Sequence, residues 1–235
     1  MDKIRIGLIG LGAVANPHLA AIRRLDSVQL ISICDVREAH AQRVAADCQA
    51  RPYTNYLDLL NAGGIDLVMV LTPASTHREI VEAAAASGAH VICESRLPSD
   101  AQAMIDECAT AGVKLFYGSC YRYLPAVSKA RELIGAGAIG RIQLMTEHVI
   151  GGNGTAGYRQ LPPIHYPNGG PGGGGISLMD HGIHLIDIFT WFAGSAPVRA
   201  IGNIQISGNS PETEFLMMSF PRGASGHLLY NAATL

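Results

Sequence analysis

Apolar, β-branched runs recur along the first half of the chain: IRIGLIG (4–10), VQLISICD (28–35), IDLVMVLT (65–72), AHVICE (89–94) and VKLFYG (113–118). Each is short and almost continuously apolar, the pattern of a strand buried on both faces. Between them lie alanine-rich stretches with helical spacing. In STHREIVEAAAASGAH, Ser75 or Thr76 stands where a helix cap is needed and Gly88 where the helix should end. Strand alternating with helix predicts parallel pairing, right-handed crossovers and helices on both sides of one sheet.

The pattern changes after residue 121. YRYLPAVSKARELIGAGAIGRIQLMTEHVI reads as a helix ended by glycines and followed by an alternating strand. Residues 198–206, 213–220 and 225–231 read as further strands, with turn-rich connections at 207–211 and 221–224 that favour antiparallel pairing. The expected architecture is therefore an α/β domain over 1–121, with a doubly wound parallel sheet, and an α+β domain over 122–235 with an open, mostly antiparallel sheet.

Composition narrows the function. The 235 residues are 48% apolar and carry a formal charge of −2 spread along the chain, without the Lys/Arg cluster that tracks a phosphate backbone. A small molecule is a better expected partner than nucleic acid. The five cysteines (34, 48, 93, 108, 120) form no C-x-x-C pair and are odd in number, which argues against a disulfide framework and against a zinc site. No metal is expected. Glycines 7, 10 and 12 break the apolar N-terminus, unlike a secretory leader, and no run approaches the roughly 18 apolar residues of a membrane span. A reducing cytoplasm and no membrane partner are the expectations.

Ligands of open parallel sheets bind outside the carboxyl ends of the strands. That rule selects Gly10 to Ala15, Asp35, Leu71 to Pro73 and Glu94 to Arg96. GLGAVA is a G-x-G-x-x-A directly after the first strand. Gly10 suits the tight turn, Gly12 lets the backbone approach a diphosphate, and a small Ala15 lets helix and strand pack closely, with Val14 on the same turn. Asp35 ends the second strand about 20 residues later, where a carboxylate can bind an adenosine ribose diol. The pair predicts dinucleotide binding. A carboxylate there repels a 2′-phosphate, so NAD is favoured over NADP, and nearby Arg37 softens the preference.

In NGGPGGGGISLMDHGIHLIDIFTWF (168–192) a glycine run feeds a helix on which Asp180 and His184 stand at i and i+4, on one face. An imidazole beside a carboxylate is a candidate proton donor or acceptor. His181 and Asp187 read as structural.

Taken together, GLIGLGAVA, Asp35, LTPASTHREIVEAAAASGAHVICE, YRYLPAV with GAIGRI, and GGGGISLMDHGIHLID resemble the glucose-fructose oxidoreductase/inositol dehydrogenase/MocA (Gfo/Idh/MocA) family over almost the whole chain. The resemblance implies an N-terminal Rossmann domain, a C-terminal domain on an open sheet, and a nicotinamide cofactor between them. It also implies hydride transfer to or from a sugar, cyclitol or related polyol. By position it makes Asp180 and His184 catalytic, sets Thr72, Pro73 and Glu94 near the nicotinamide ring, and adds His77 to the cofactor set. Ser95 then occupies the seat of the family's Glu-Lys-Pro lysine and Arg96 that of its proline. Serine has no titration near neutrality, and arginine cannot exchange a proton. Cys120 holds a seat often taken by asparagine, while Arg122 matches a recurring arginine. The chain is short for the family, so the second sheet is expected to lack strands and to favour a homo-oligomer through its edge. Loss of the lysine leaves two alternatives open: an NAD-binding sensor, or a glycosidase or lyase using NAD as a transient oxidant.

Overall fold

The computed structural model describes residues 2–95, 101–150, 178–207 and 210–231. Contacts divide the chain into two compact units, Met1–Gly118 and Ser119–Leu235. The glycine run of 168–177 and Arg96 lie outside the described residues.

The first unit alternates β1 (Ile4–Ile9), α1 (Ala15–Ile22), β2 (Val28–Cys34), α2 (Glu38–Cys48), β3 (Arg51–Tyr53), α3 (Tyr56–Asn61), β4 (Leu67–Val70), α4 (His77–Ala86), β5 (His90–Cys93), α5 (Ala101–Thr110) and β6 (Leu115–Tyr117). Its six strands pair in the order β3-β2-β1-β4-β5-β6, and all pairings are parallel. This is the doubly wound Rossmann arrangement that the alternation predicts. The strand order reverses direction between β1 and β4, which opens a crevice at the carboxyl ends of those strands.

Alternation of side chains explains why the runs are apolar throughout. Val68 and Val70 of β4 join Val91, Cys93, Ile80, Val81 and Met104 in one core. Met69 and Leu71 join Ile6, Leu8, Leu30 and Leu19 in a second core. Both sets are sequestered from water, and each fully buried Val or Leu contributes about 1.5–3 kcal/mol. β3 is a strand the apolar pattern does not reveal. It is three residues long and contains Pro52, which only an edge strand tolerates because proline cannot donate to a ladder.

The second unit holds α6 (Pro125–Gly135), β7 (Leu144–Ile150), a π-helical turn (Leu178–Gly182), α7 (Ile183–Ala193), β8 (Arg199–Ser207), β9 (Ser210–Ser219) and β10 (Ser225–Asn231). The sheet runs β7-β10-β9-β8. Its two hairpin-connected pairs are antiparallel, while β10 pairs with β7 in parallel, so the sheet is mixed. The parallel pair joins strands far apart in sequence, with α7 in the connection, which is what a parallel pairing requires. Gly226, Leu228 and Tyr230 of β10 face inward. Leu228 and Tyr230 pack with Leu185, Ile188 and Phe189 of α7 in a third core.

The turn after β1 is the tightest point of the first unit. Gly10 adopts φ +97°, its N–H donates to the Cys34 carbonyl at 2.8 Å, and Leu71 N–H donates to Ile9 O at 2.8 Å. A Cβ on Gly10 would stand 2.8 Å from both the carbonyl carbon and the oxygen of Leu71. Both the backbone conformation and this approach exclude a side chain. Gly10→Ala is therefore expected to lower unfolding stability by about 1–3 kcal/mol or more, read as a shift of the urea midpoint.

Candidate functional site

The first unit carries a cradle at the carboxyl ends of β1, β2, β4 and β5. Gly12 is exposed, and a Cβ there would meet nothing within 4 Å. The turn therefore presents bare backbone to solvent at the start of α1. Ala15 is 2% exposed and packs beneath, and Val14 is partly exposed at the helix entrance. Open space over Gly12, a buried small residue below it and a helix start pointing outward fit a diphosphate.

Asp35 is buried and ties this turn to β2. Its Oδ2 accepts from Leu11 N–H at 3.0 Å and its Oδ1 from Arg37 N–H at 2.9 Å. The Arg37 guanidinium adds Nε to Oδ1 at 2.9 Å and Nη2 to Oδ2 at 3.0 Å. Burial alone works against the charge, but the Arg37 side chain and the two backbone amides outweigh it and hold the carboxyl below its ordinary value. These four donors fill the acceptor positions of the carboxylate. The Arg37 side chain is 62% exposed, and its Nη2 also donates to the Leu11 carbonyl at 3.3 Å. Arg37 thus lies across the solvent side of Asp35, a contact its spacing alone does not disclose.

At the end of β4, Thr72 and exposed Pro73 form the next wall, with Thr76 Oγ1 donating to Thr72 Oγ1 at 2.9 Å. His77 lies beneath this wall. It is 0% exposed, and its Nε2 donates to the Thr72 carbonyl at 2.7 Å. It shapes the Thr72–Pro73 turn from below. At the end of β5, Glu94 Oε1 accepts from His18 Nε2 at 2.9 Å and Oε2 from Ser95 N–H at 2.8 Å. His18 gives no signal in the sequence, because its partner is 76 residues away. The Cys93 thiol in the strand beneath is pushed up to about 12 by burial and then by Glu94, which keeps it protonated and unreactive.

The second unit carries the histidines. The π-helical turn Leu178–Gly182 runs directly into α7. Such turns follow an i→i+5 pattern, so the spacing of Asp180 and His184 is not that of an unbroken α-helix. The side chain of Asp180 lies outside the described residues. His184 stacks on Tyr121 at 4.8 Å between centroids and 23° between planes. Tyr121 in turn meets the edge of His181 at 5.5 Å, and His181 Nδ1 is hydrogen-bonded to Tyr230 Oη at 2.8 Å. Buried Glu214 accepts from Leu178 N–H at 2.8 Å and fixes the start of the turn. Asp187 accepts from Arg122 Nε at 2.7 Å and from Ser119 Oγ at 2.9 Å, while the Arg122 guanidinium lies 5.3 Å from the centre of the Trp191 ring. This clamp fastens the Ser119–Tyr123 segment to α7 and so holds Tyr121 against His184.

Comparisons with known proteins identify the family. Residues 4–119 match the model of the oxidoreductase family with the NAD-binding Rossmann fold, and residues 127–234 match the Gfo/Idh/MocA C-terminal domain. The chain belongs to the Gfo/Idh/MocA oxidoreductase family. It is 30% identical to myo-inositol 2-dehydrogenase of Thermotoga maritima, covering 95% of this chain and 67% of that protein. It is 26% identical to the rhizopine catabolism protein MocA of Rhizobium meliloti, covering 96% and 70%. The crystal structure of the WlbA dehydrogenase from Bordetella pertussis in complex with NADH and UDP-GlcNAcA superposes with a TM-score of 0.84 at 26% identity, over 99% of this chain and 68% of that one. The chain matches 35% identically over 38% of the length of D-apiose dehydrogenase of Paraburkholderia graminis.

Burial first, and then the neighbouring His184, push the His181 imidazole below its ordinary range, with Glu147 opposing. The folded state therefore prefers neutral His181, whereas the unfolded ring takes up a proton near pH 6.5. Stability is lost as pH falls through that value. Thermal melts are expected to fall more steeply from about pH 7 to about pH 5 in the wild type than in His181→Gln, which stays neutral throughout.

Proposed function

We propose that the protein is an NAD-dependent oxidoreductase that acts on a ring hydroxyl of a sugar, cyclitol or related polyol. The observation that carries this reading is the open backbone at Gly12 beside the buried carboxylate of Asp35, in a chain that also holds His184 against Tyr121. The substrate class is supported by relatives named for inositol, apiose and glucosides.

A bound NAD would supply the hydride acceptor for oxidation at the carbon that carries the hydroxyl. His184 takes the hydroxyl proton, and Asp180, in the preceding turn, orients the imidazole. The backbone of Gly12 and the start of α1 bind the diphosphate, and Asp35 binds the adenosine ribose once Arg37 has swung away. Ser95 stands in the seat of the family lysine. Its hydroxyl supplies a hydrogen bond and no proton exchange near neutrality, so proton transfer falls to His184.

Ser95 also favours a second reading, a dinucleotide-binding sensor that keeps the fold without the chemistry. One experiment separates the two. The protein is assayed by NADH absorbance against inositols, apiose and glucosides, alongside His184→Ala and Ser95→Lys. The dehydrogenase reading expects turnover on at least one polyol and a loss of about 10²- to 10⁴-fold in His184→Ala, with NADH binding retained. Full activity in His184→Ala contradicts it. NADH binding without turnover, together with activity gained in Ser95→Lys, establishes the sensor instead.

A further inference from the structure

The His18–Glu94 bond joins α1 to the end of β5 through two polar side chains. His18 is the fourth residue of α1, the helix whose start faces the diphosphate position. Glu94 follows β5, two strands away from β1 in the sheet order. The bond spans 2.9 Å and is partly shielded, with the His18 side chain 25% exposed and that of Glu94 15%. The second carboxylate oxygen accepts from Ser95 N–H at 2.8 Å. Gly118 closes the far side, since a Cβ there would stand 3.2 Å from Glu94 Oε2 and 3.1 Å from Glu94 Cα. The carboxylate is thus held from three directions, by α1, by its own following amide and by the bare backbone after β6.

The direction in which a dinucleotide lies on this sheet follows from Asp35. That residue stands at the end of β2, on one side of the diphosphate turn after β1. With the adenosine half on the β2 side, the other half extends over β4 towards β5. The distance from β2 to β5 is three strand spacings, roughly 14 Å, which a dinucleotide spans. The ends of β4 and β5 carry Thr72–Pro73 and Glu94–Ser95 respectively.

We propose that His18 positions the nicotinamide end of the dinucleotide: through Glu94 it fixes the Glu94–Ser95 wall relative to the diphosphate turn, while the adenosine end is held independently of it. His18 is a positioning residue in this account, and the claim rests on the dinucleotide reading given above. Loss of the imidazole removes the tie between α1 and the end of β5. The Asp35–Leu11 bond on the other side of the turn is untouched.

Binding of two probes tests it without turnover. ADP-ribose contains the adenosine, the diphosphate and a second ribose, and NADH adds the nicotinamide. Titration calorimetry of both is carried out on the wild type, His18→Ala, His18→Gln and Glu94→Gln. His18→Ala is expected to weaken NADH roughly tenfold, the change that about 1.4 kcal/mol of lost positioning produces, and to leave ADP-ribose unchanged. His18→Gln, whose amide donates to the same carboxylate, recovers most of the loss. Glu94→Gln shows a smaller loss of the same selectivity, and serves if His18→Ala does not fold. Equal weakening of both probes overturns the proposal, because His18 then only supports α1. Unchanged NADH binding in His18→Ala overturns it as well. A wild type that binds neither probe removes the dinucleotide reading itself, and this inference with it.

Discussion

The hydrogen bond from Leu11 N–H to the buried Asp35 carboxylate is the contact on which the first unit's chemistry depends. A backbone amide in the first turn and a charged group at the end of the neighbouring strand are locked together. Removing an acceptor from such a pair leaves a buried donor unsatisfied, which costs about 1–3 kcal/mol. The same bond sets the shape of the turn from Gly10 to Ala15. Gly10 is pressed against the backbone of Leu71 at one end of this turn, and Gly12 stays open at the other. The stability of the sheet and the accessibility of the diphosphate position therefore share one origin.

Around that bond the cradle is built from long-range ties. Arg37 covers Asp35, His77 props the turn after β4, and His18 reaches Glu94 at the end of β5. In the second unit the same device recurs: Asp187 clamps Arg122 and Ser119, and Glu214 pins the entrance of the π-helical turn. In each case a charged or polar side chain ties a loop or helix end to an element distant in the chain.

Much of this was legible in the sequence, for a physical reason. Strands buried on both faces must be apolar throughout, so the five long runs of the first unit announce themselves, and the glycines and Asp35 follow at fixed spacing. What stayed hidden lacks a periodic signature. β3 is too short and contains Pro52. The π-helical turn over Leu178–Gly182 carries no sequence signature of its own. His77 is buried, and its Nε2 is hydrogen-bonded to the Thr72 carbonyl, a contact that no spacing marks. His18 and Tyr121 draw their roles from partners distant in the chain, Glu94 and His184, and no local pattern marks such pairs.

The central claim is that the amides of the first turn hold a dinucleotide diphosphate. Hydrogen–deuterium exchange with and without saturating NADH measures those amides directly. The account predicts slowed exchange over residues 11–15, with Leu11 already protected by Asp35 in the free protein. NADH binding that leaves the amides from Gly12 to Ala15 exchanging at their free rate would contradict it.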